Sequence, residues 1–114
     1  MPQIELEAKR KEVMQIMIEW LLVLRSSLNI TQEQISYSVG ISRQTYSSYE
    51  LGKKPLTWGN FLSLFMFFMA NEKSRNLLSK NPGYIATIFA LMNANVQALD
   101  FDSLLNSVDK RWLQ

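Results

Sequence analysis

Apolar residues recur at three- and four-residue steps along most of this chain, and the phase resets wherever glycine, proline or a short polar residue interrupts. Val13, Met17, Trp20, Leu21, Leu24 and Leu28 fall on one face of a helix predicted over residues 4–28. Its first turns are dominated by charge (Glu5, Glu7, Lys9, Arg10, Lys11, Glu12) and read as a solvated or frayed start, or as an arm that contacts DNA or a partner. Thr31 followed three residues later by Gln34 is the signature of a capping box, so a second helix starts there, turning Ile35 and Val39 inward. Gly40 ends it, because the left-handed backbone of a helix stop costs glycine little. Ser42 is a good cap for a third helix, which ends before Gly52.

Thr57 caps a fourth helix running to about residue 70, and that helix is apolar nearly all round: Phe61, Leu62, Leu64, Phe65, Met66, Phe67, Phe68, Met69. Such a helix needs cover on more than one side, and the C-terminal third is the available material. Residues 71–81 are weakly amphipathic around Leu77 and Leu78. Asn81-Pro82 reads as a cap and a first-turn proline leading into Ile85, Ile88, Phe89, Met92 and Val96. Asp102 caps a last helix carrying Leu104, Leu105, Val108 and Trp112 at helical spacing. No alternating run of strand length and no repeat occurs, so the expected fold is all-α.

Composition narrows the chemistry. At 114 residues and 47% hydrophobic, the chain is one globular domain, or a small domain with a dimerising extension. There is no cysteine and no histidine, which removes disulfides, thiol nucleophiles, the commonest metal ligands and the commonest general base. No cofactor-binding or metal-ligating pattern is present, and enzymatic chemistry is not expected. The net charge of +2 is mild, so any contact with nucleic acid must come from positive charge gathered locally. The apolar runs at residues 13–24 and 61–69 are interrupted or too short to span a bilayer, and the N-terminus has no signal-peptide pattern. A cytoplasmic protein without a membrane partner is the expectation.

The stretch Thr31-Gln-Glu-Gln-Ile-Ser-Tyr-Ser-Val-Gly-Ile-Ser-Arg-Gln-Thr-Tyr-Ser-Ser-Tyr-Glu-Leu-Gly-Lys53 reads as two short helices about a tight turn, with Arg and Gln near the start of the second. It resembles the helix-turn-helix regulators of the phage-repressor and Cro type, the XRE family, over roughly residues 20–66. The resemblance implies a lambda-repressor-like core (residues 1–70, with an N-terminal helix extension, since the family's first helix begins nearer Met17) and additional C-terminal helices (residues 71–114). It implies that Arg43, Gln44 and Ser48 read bases, with Thr45 and Ser47 beside them. Arginine matches the two major-groove acceptors of guanine, and glutamine can bond adenine at both positions. Thr31 and Gln32 in the first turn of the second helix, with Lys53 and Lys54 after the third, would hold phosphates. Arg25 and Glu50 resemble the family's buried structural ion pair. Ser36 stands where the family usually has alanine, and Tyr46 where it has a branched aliphatic residue.

The aromatic and methionine-rich stretches read as core rather than as a ligand pocket. Ile85, Ile88, Phe89, Leu104, Leu105, Val108 and Trp112 are expected in core or homodimer contacts, because paired recognition helices double the contact to DNA. The functional expectation is a dimeric, sequence-specific transcriptional repressor acting on a pseudo-palindromic site in double-stranded DNA. The alternative is an antitoxin or other interaction module whose C-terminal helices bind a protein partner, a toxin or an anti-repressor. A self-cleaving repressor is set aside, because its catalytic domain needs far more chain than follows residue 69.

Overall fold

A computed structural model describes residues 3–94 of the chain. Six helices follow one another: α1 (Gln3–Ser27), α2 (Gln32–Val39), α3 (Arg43–Glu50), α4 (Trp58–Ala70), α5 (Glu72–Ser79) and α6 (Tyr84–Met92), and there is no strand among the described residues. Val96, Leu104, Leu105, Val108 and Trp112, with the helix expected after Asp102, lie outside the described residues.

Local chemistry sets the boundaries. Thr31 Oγ1 accepts from the Gln34 N–H at 3.0 Å while Gln34 Oε1 accepts from the Thr31 N–H at 2.8 Å, so both halves of the capping box are made. Gly40 closes α2 at φ 75°, a backbone conformation that favours glycine. Ser42 and Thr57 cap α3 and α4 by accepting from Thr45 N–H at 3.0 Å and Asn60 N–H at 3.1 Å. The junction after α4 is tighter than a loop. Its last carbonyls would be orphans, and side chains from the next helix reach back to them. Asn71 Nδ2 donates to Phe67 O at 2.8 Å, the buried Ser74 hydroxyl to Phe68 O at 2.7 Å, and Arg75 to Met69 O at 2.9 Å.

Two expectations from the sequence need correction. Asn81-Pro82 does not open α6: the helix starts after Gly83 at φ 79°, and Asn81 contributes its carbonyl to the Tyr84 N–H at 3.1 Å. The proline sits in the turn before the helix. The charged start of α1 is no frayed arm either. It is helical from Gln3, and Leu6 is fully buried. Arg10 lies 4.7 Å over the Trp58 ring, a cation–π contact that offsets part of the cost of its buried Nε, which has no hydrogen-bond partner. Charge at Glu5, Glu7, Lys9, Lys11 and Glu12 faces solvent, while Leu6, Arg10, Val13 and Met17 follow the packed side.

One core runs through all six helices. It includes Leu6, Val13, Met17, Leu21 and Leu24 of α1, Ile35 of α2, Tyr46 and Tyr49 of α3, Phe61, Leu64, Phe65 and Phe68 of α4, Leu78 of α5, and Tyr84, Ile88 and Leu91 of α6. The boundary expected near residue 70 is therefore a turn between helices that share one core. Ile88 is fully buried within it, Ile85 packs against it partly buried, and Phe89 is 47% exposed. Of the three, Ile88 is core and Phe89 is the one with substantial surface.

The nearly all-apolar α4 packs against α1, α2 and α5. Trp58 stacks on Phe61, Phe61 on Phe65, and Phe65 meets Phe89 edge-on at 5.8 Å. The outward stripe of α4 carries Gly59, Ser63, Met66 and Ala70.

Tyr84 ties the two ends of this architecture together. Its buried hydroxyl donates to Val13 O at 2.7 Å, across 71 positions of sequence. Burial pushes the phenol above its ordinary value of 10, so the folded state holds the proton more tightly than the unfolded chain. The stability this contributes is present below pH 10 and is lost as the pH rises beyond it. Tyr84→Phe is expected to cost about 1 kcal/mol in urea unfolding at neutral pH. In a series of melts from pH 8 to 11.5, the variant should lose less stability above pH 10 than the native protein.

Candidate nucleic-acid interface

The third helix buries Tyr46 and Tyr49 and thereby turns Arg43, Gln44, Ser47 and Ser48 outward. Those four share a shallow depression with Gln32 of α2 and with Leu51 and Lys53 just past α3. Residues expected to contact DNA from two helices and a turn are thus gathered on one surface. Arg43 and Gln44 are exposed in the first turn of α3, and Arg43 joins neither of the two ion pairs among the described residues. Ser48 donates to Gln44 O at 3.0 Å and keeps its lone pairs as acceptors. Thr45 differs: its hydroxyl lies 2.9 Å from the Ser42 hydroxyl and its N–H is held by the same cap, so it serves the start of the helix. Thr31 is likewise engaged in the α2 cap, though exposed, and Lys53 and Lys54 project freely into solvent.

Behind this surface lies an ionic knot. Arg25 Nη2 meets Glu50 Oε1 at 2.8 Å, and Arg25 Nε reaches both carboxylate oxygens at 3.3 and 3.2 Å. The guanidinium also donates to Ile30 O at 2.9 Å. The Glu50 side chain is 6% exposed and that of Arg25 18%. Hydrogen bonding to Glu50 pushes the Arg25 pKa up, against the opposing effect of burial. Gln32 completes the knot by donating from Nε2 to Glu50 Oε2 at 3.2 Å. One carboxylate thus joins α1, the turn before α2, α2 itself and α3. Its charge is neutralised inside, and no acidic side chain lines the depression.

Sequence reasoning missed one member of this site and the second engagement of another. Gln32 was expected against phosphate, but one of its amide N–H groups is spent on Glu50, leaving the other N–H and its oxygen. Leu51 carried no signal because an isolated leucine after a helix resembles any other core residue, yet it is 64% exposed on the depression.

Residues 22–57 match the family model for the helix-turn-helix. No curated protein and no solved structure matches the chain. The matched segment, from the last residues of α1 through the turn after α3, is a helix-turn-helix similar to that of XRE-type regulators, and with it the chain carries a DNA-binding domain of the kind found in transcriptional regulators. No single helix among the described residues is long and apolar enough to cross a membrane.

The buried knot separates two tyrosine-and-carboxylate effects. Glu50→Ala leaves the Arg25 guanidinium partly buried without its partner and is expected to destabilise the fold by about 3 kcal/mol, lowering the melting temperature before it changes sequence preference. Tyr46 lies against the same pair, but its buried hydroxyl has no hydrogen-bond partner, and burial pushes its pKa up. Tyr46→Phe removes an unsatisfied group and should leave stability unchanged or raise it by up to about 1 kcal/mol, measured by chemical denaturation.

Proposed function

We propose that this protein is a sequence-specific transcriptional repressor that binds a pseudo-palindromic operator as a homodimer in the cytoplasm. The observation that carries this reading is the exposed Arg43–Gln44 pair at the start of α3, on a surface without acidic side chains, within the segment that matches the helix-turn-helix. Arg43, Gln44 and Ser48 would select bases, with Ser47 at their flank and Thr45 holding the start of the helix. Thr31, Gln32, Lys53 and Lys54 would set the register on the phosphates, and bound protein would then block polymerase.

A homodimer is favoured by apolar surface: Phe89 and Met92 of α6 are 47% and 43% exposed on the helix that leads into the C-terminal segment. Two copies would bring paired recognition helices to half-sites about 34 Å apart.

The test is selection from a randomised duplex library, with an Arg43→Ala/Gln44→Ala variant alongside. The expected result is an inverted repeat recovered by the native protein and not by the variant. Equal, weak, salt-sensitive retention of both proteins would overturn the reading and make the C-terminal helices, facing a protein partner such as a toxin, the place to look. Lys53→Ala should weaken binding to all sequences alike and lower the slope of log affinity against log salt by about 1.

A further inference from the structure

Leu51 stands out on the depression because every other side chain there is polar: Gln32, Arg43, Gln44, Ser47, Ser48 and Lys53. The leucine is 64% exposed and takes no part in the hydrophobic core. Its position is well fixed. As the residue that closes α3, it donates its N–H to Ser47 O at 3.0 Å, and Gly52 at φ 70° then turns the chain away. Arg43, Gln44, Ser47, Ser48 and Leu51 therefore form one stripe along α3, at intervals of 1, 4, 5 and 8 residues from its first member. Exposure alone would not single Leu51 out, since Ile4, Tyr37 and Met66 are more exposed; its place among the polar side chains of the α3 stripe does.

We propose that Leu51 is a specificity determinant that favours thymine by apolar contact with its C5-methyl group. This rests on the reading of α3 as the base-reading helix. Among the groups a base pair presents in the major groove, the thymine methyl alone is apolar; the rest are hydrogen-bond donors and acceptors, which leucine cannot answer. Leucine covers that methyl, while Arg43 and Gln44 bond to purines elsewhere in the half-site. Burying one methyl group is worth about fourfold in affinity.

Deoxyuridine tests the idea, because it pairs as thymine does and lacks only the methyl. The operator selected by the native protein is resynthesised with each thymine in turn replaced by deoxyuridine. Affinity is measured for the native protein, Leu51→Ala and Leu51→Asn, with helicity checked by circular dichroism. At one thymine per half-site the native protein should lose about fourfold, and both variants should bind thymine and deoxyuridine equally there while keeping the Arg43-dependent base preference. No deoxyuridine penalty at any position overturns the proposal and leaves Leu51 against sugar or phosphate. A penalty that persists undiminished in both variants also overturns it, assigning the methyl to another side chain. If the native protein selects no sequence at all, the reading of α3 itself fails, a different result from a selected operator that ignores the methyl.

Discussion

A carboxylate buried at the end of the third helix must find cations and donors, because an unpaired charge in that position would cost several kcal/mol. Glu50 meets this demand with Arg25 from α1 and Gln32 from α2. Arg25 in turn holds the Ile30 carbonyl before α2 begins. Satisfying this one group links α1, α2 and α3, with α3 packed against both α1 and α2. The capping box at Thr31 and the left-handed Gly40 set where the helices start and stop. The knot sets how they lie together, and so where Arg43 and Gln44 stand relative to Gln32. A surface that is to match a groove needs its side chains on a rigid support, and here the support is ionic as well as apolar.

The rest of the chain builds a second layer against that unit. Leu6, Arg10 and Val13 extend α1 well beyond the matched segment, and Tyr84 fastens the extension to α6 through Val13 O. The aromatic series from Trp58 through Phe61 and Phe65 to Phe89 runs along α4 between them. Both additions cover α4, which a helix-turn-helix unit by itself leaves half open. The N-terminal extension and the described C-terminal helices are thus two parts of one solution to the burial of α4.

Elements governed by local chemistry were legible in the sequence. The caps at Thr31, Ser42 and Thr57, the stop at Gly40 and the helical spacing of α1 all involve residues within four positions of each other. The Arg25–Glu50 pair was legible only through the family resemblance, since nothing in composition or spacing links residues 25 positions apart. The features that were missed depend on tertiary placement. The charged residues of the first turns of α1 are solvated as their pattern indicates, but that pattern did not show Leu6 buried or Arg10 over the Trp58 ring. Asn81-Pro82 had the residues of a helix start, but the left-handed Gly83 moved the boundary two residues on. Leu51, 64% exposed, drew no reading from the sequence, where an apolar residue closing a helix carries no sign of which way it faces.

Charge distribution explains how a chain of net +2 can carry the proposed DNA-facing surface. Glu50 lies at the back of that surface, yet its field is cancelled at contact distance by Arg25, in surroundings of low dielectric where such cancellation is effective. Arg43 and Lys53 then stand without an acidic neighbour on the depression, and Glu5, Glu7 and Glu12 lie in the first turns of α1 among Lys9, Arg10 and Lys11. A surface of a few unopposed cations gives modest non-specific attraction, because each phosphate neutralised adds a limited, salt-sensitive increment. On the proposed reading, selectivity rests on the side chains of the α3 stripe more than on bulk attraction. That places the weight on the rigidity the Glu50 knot provides.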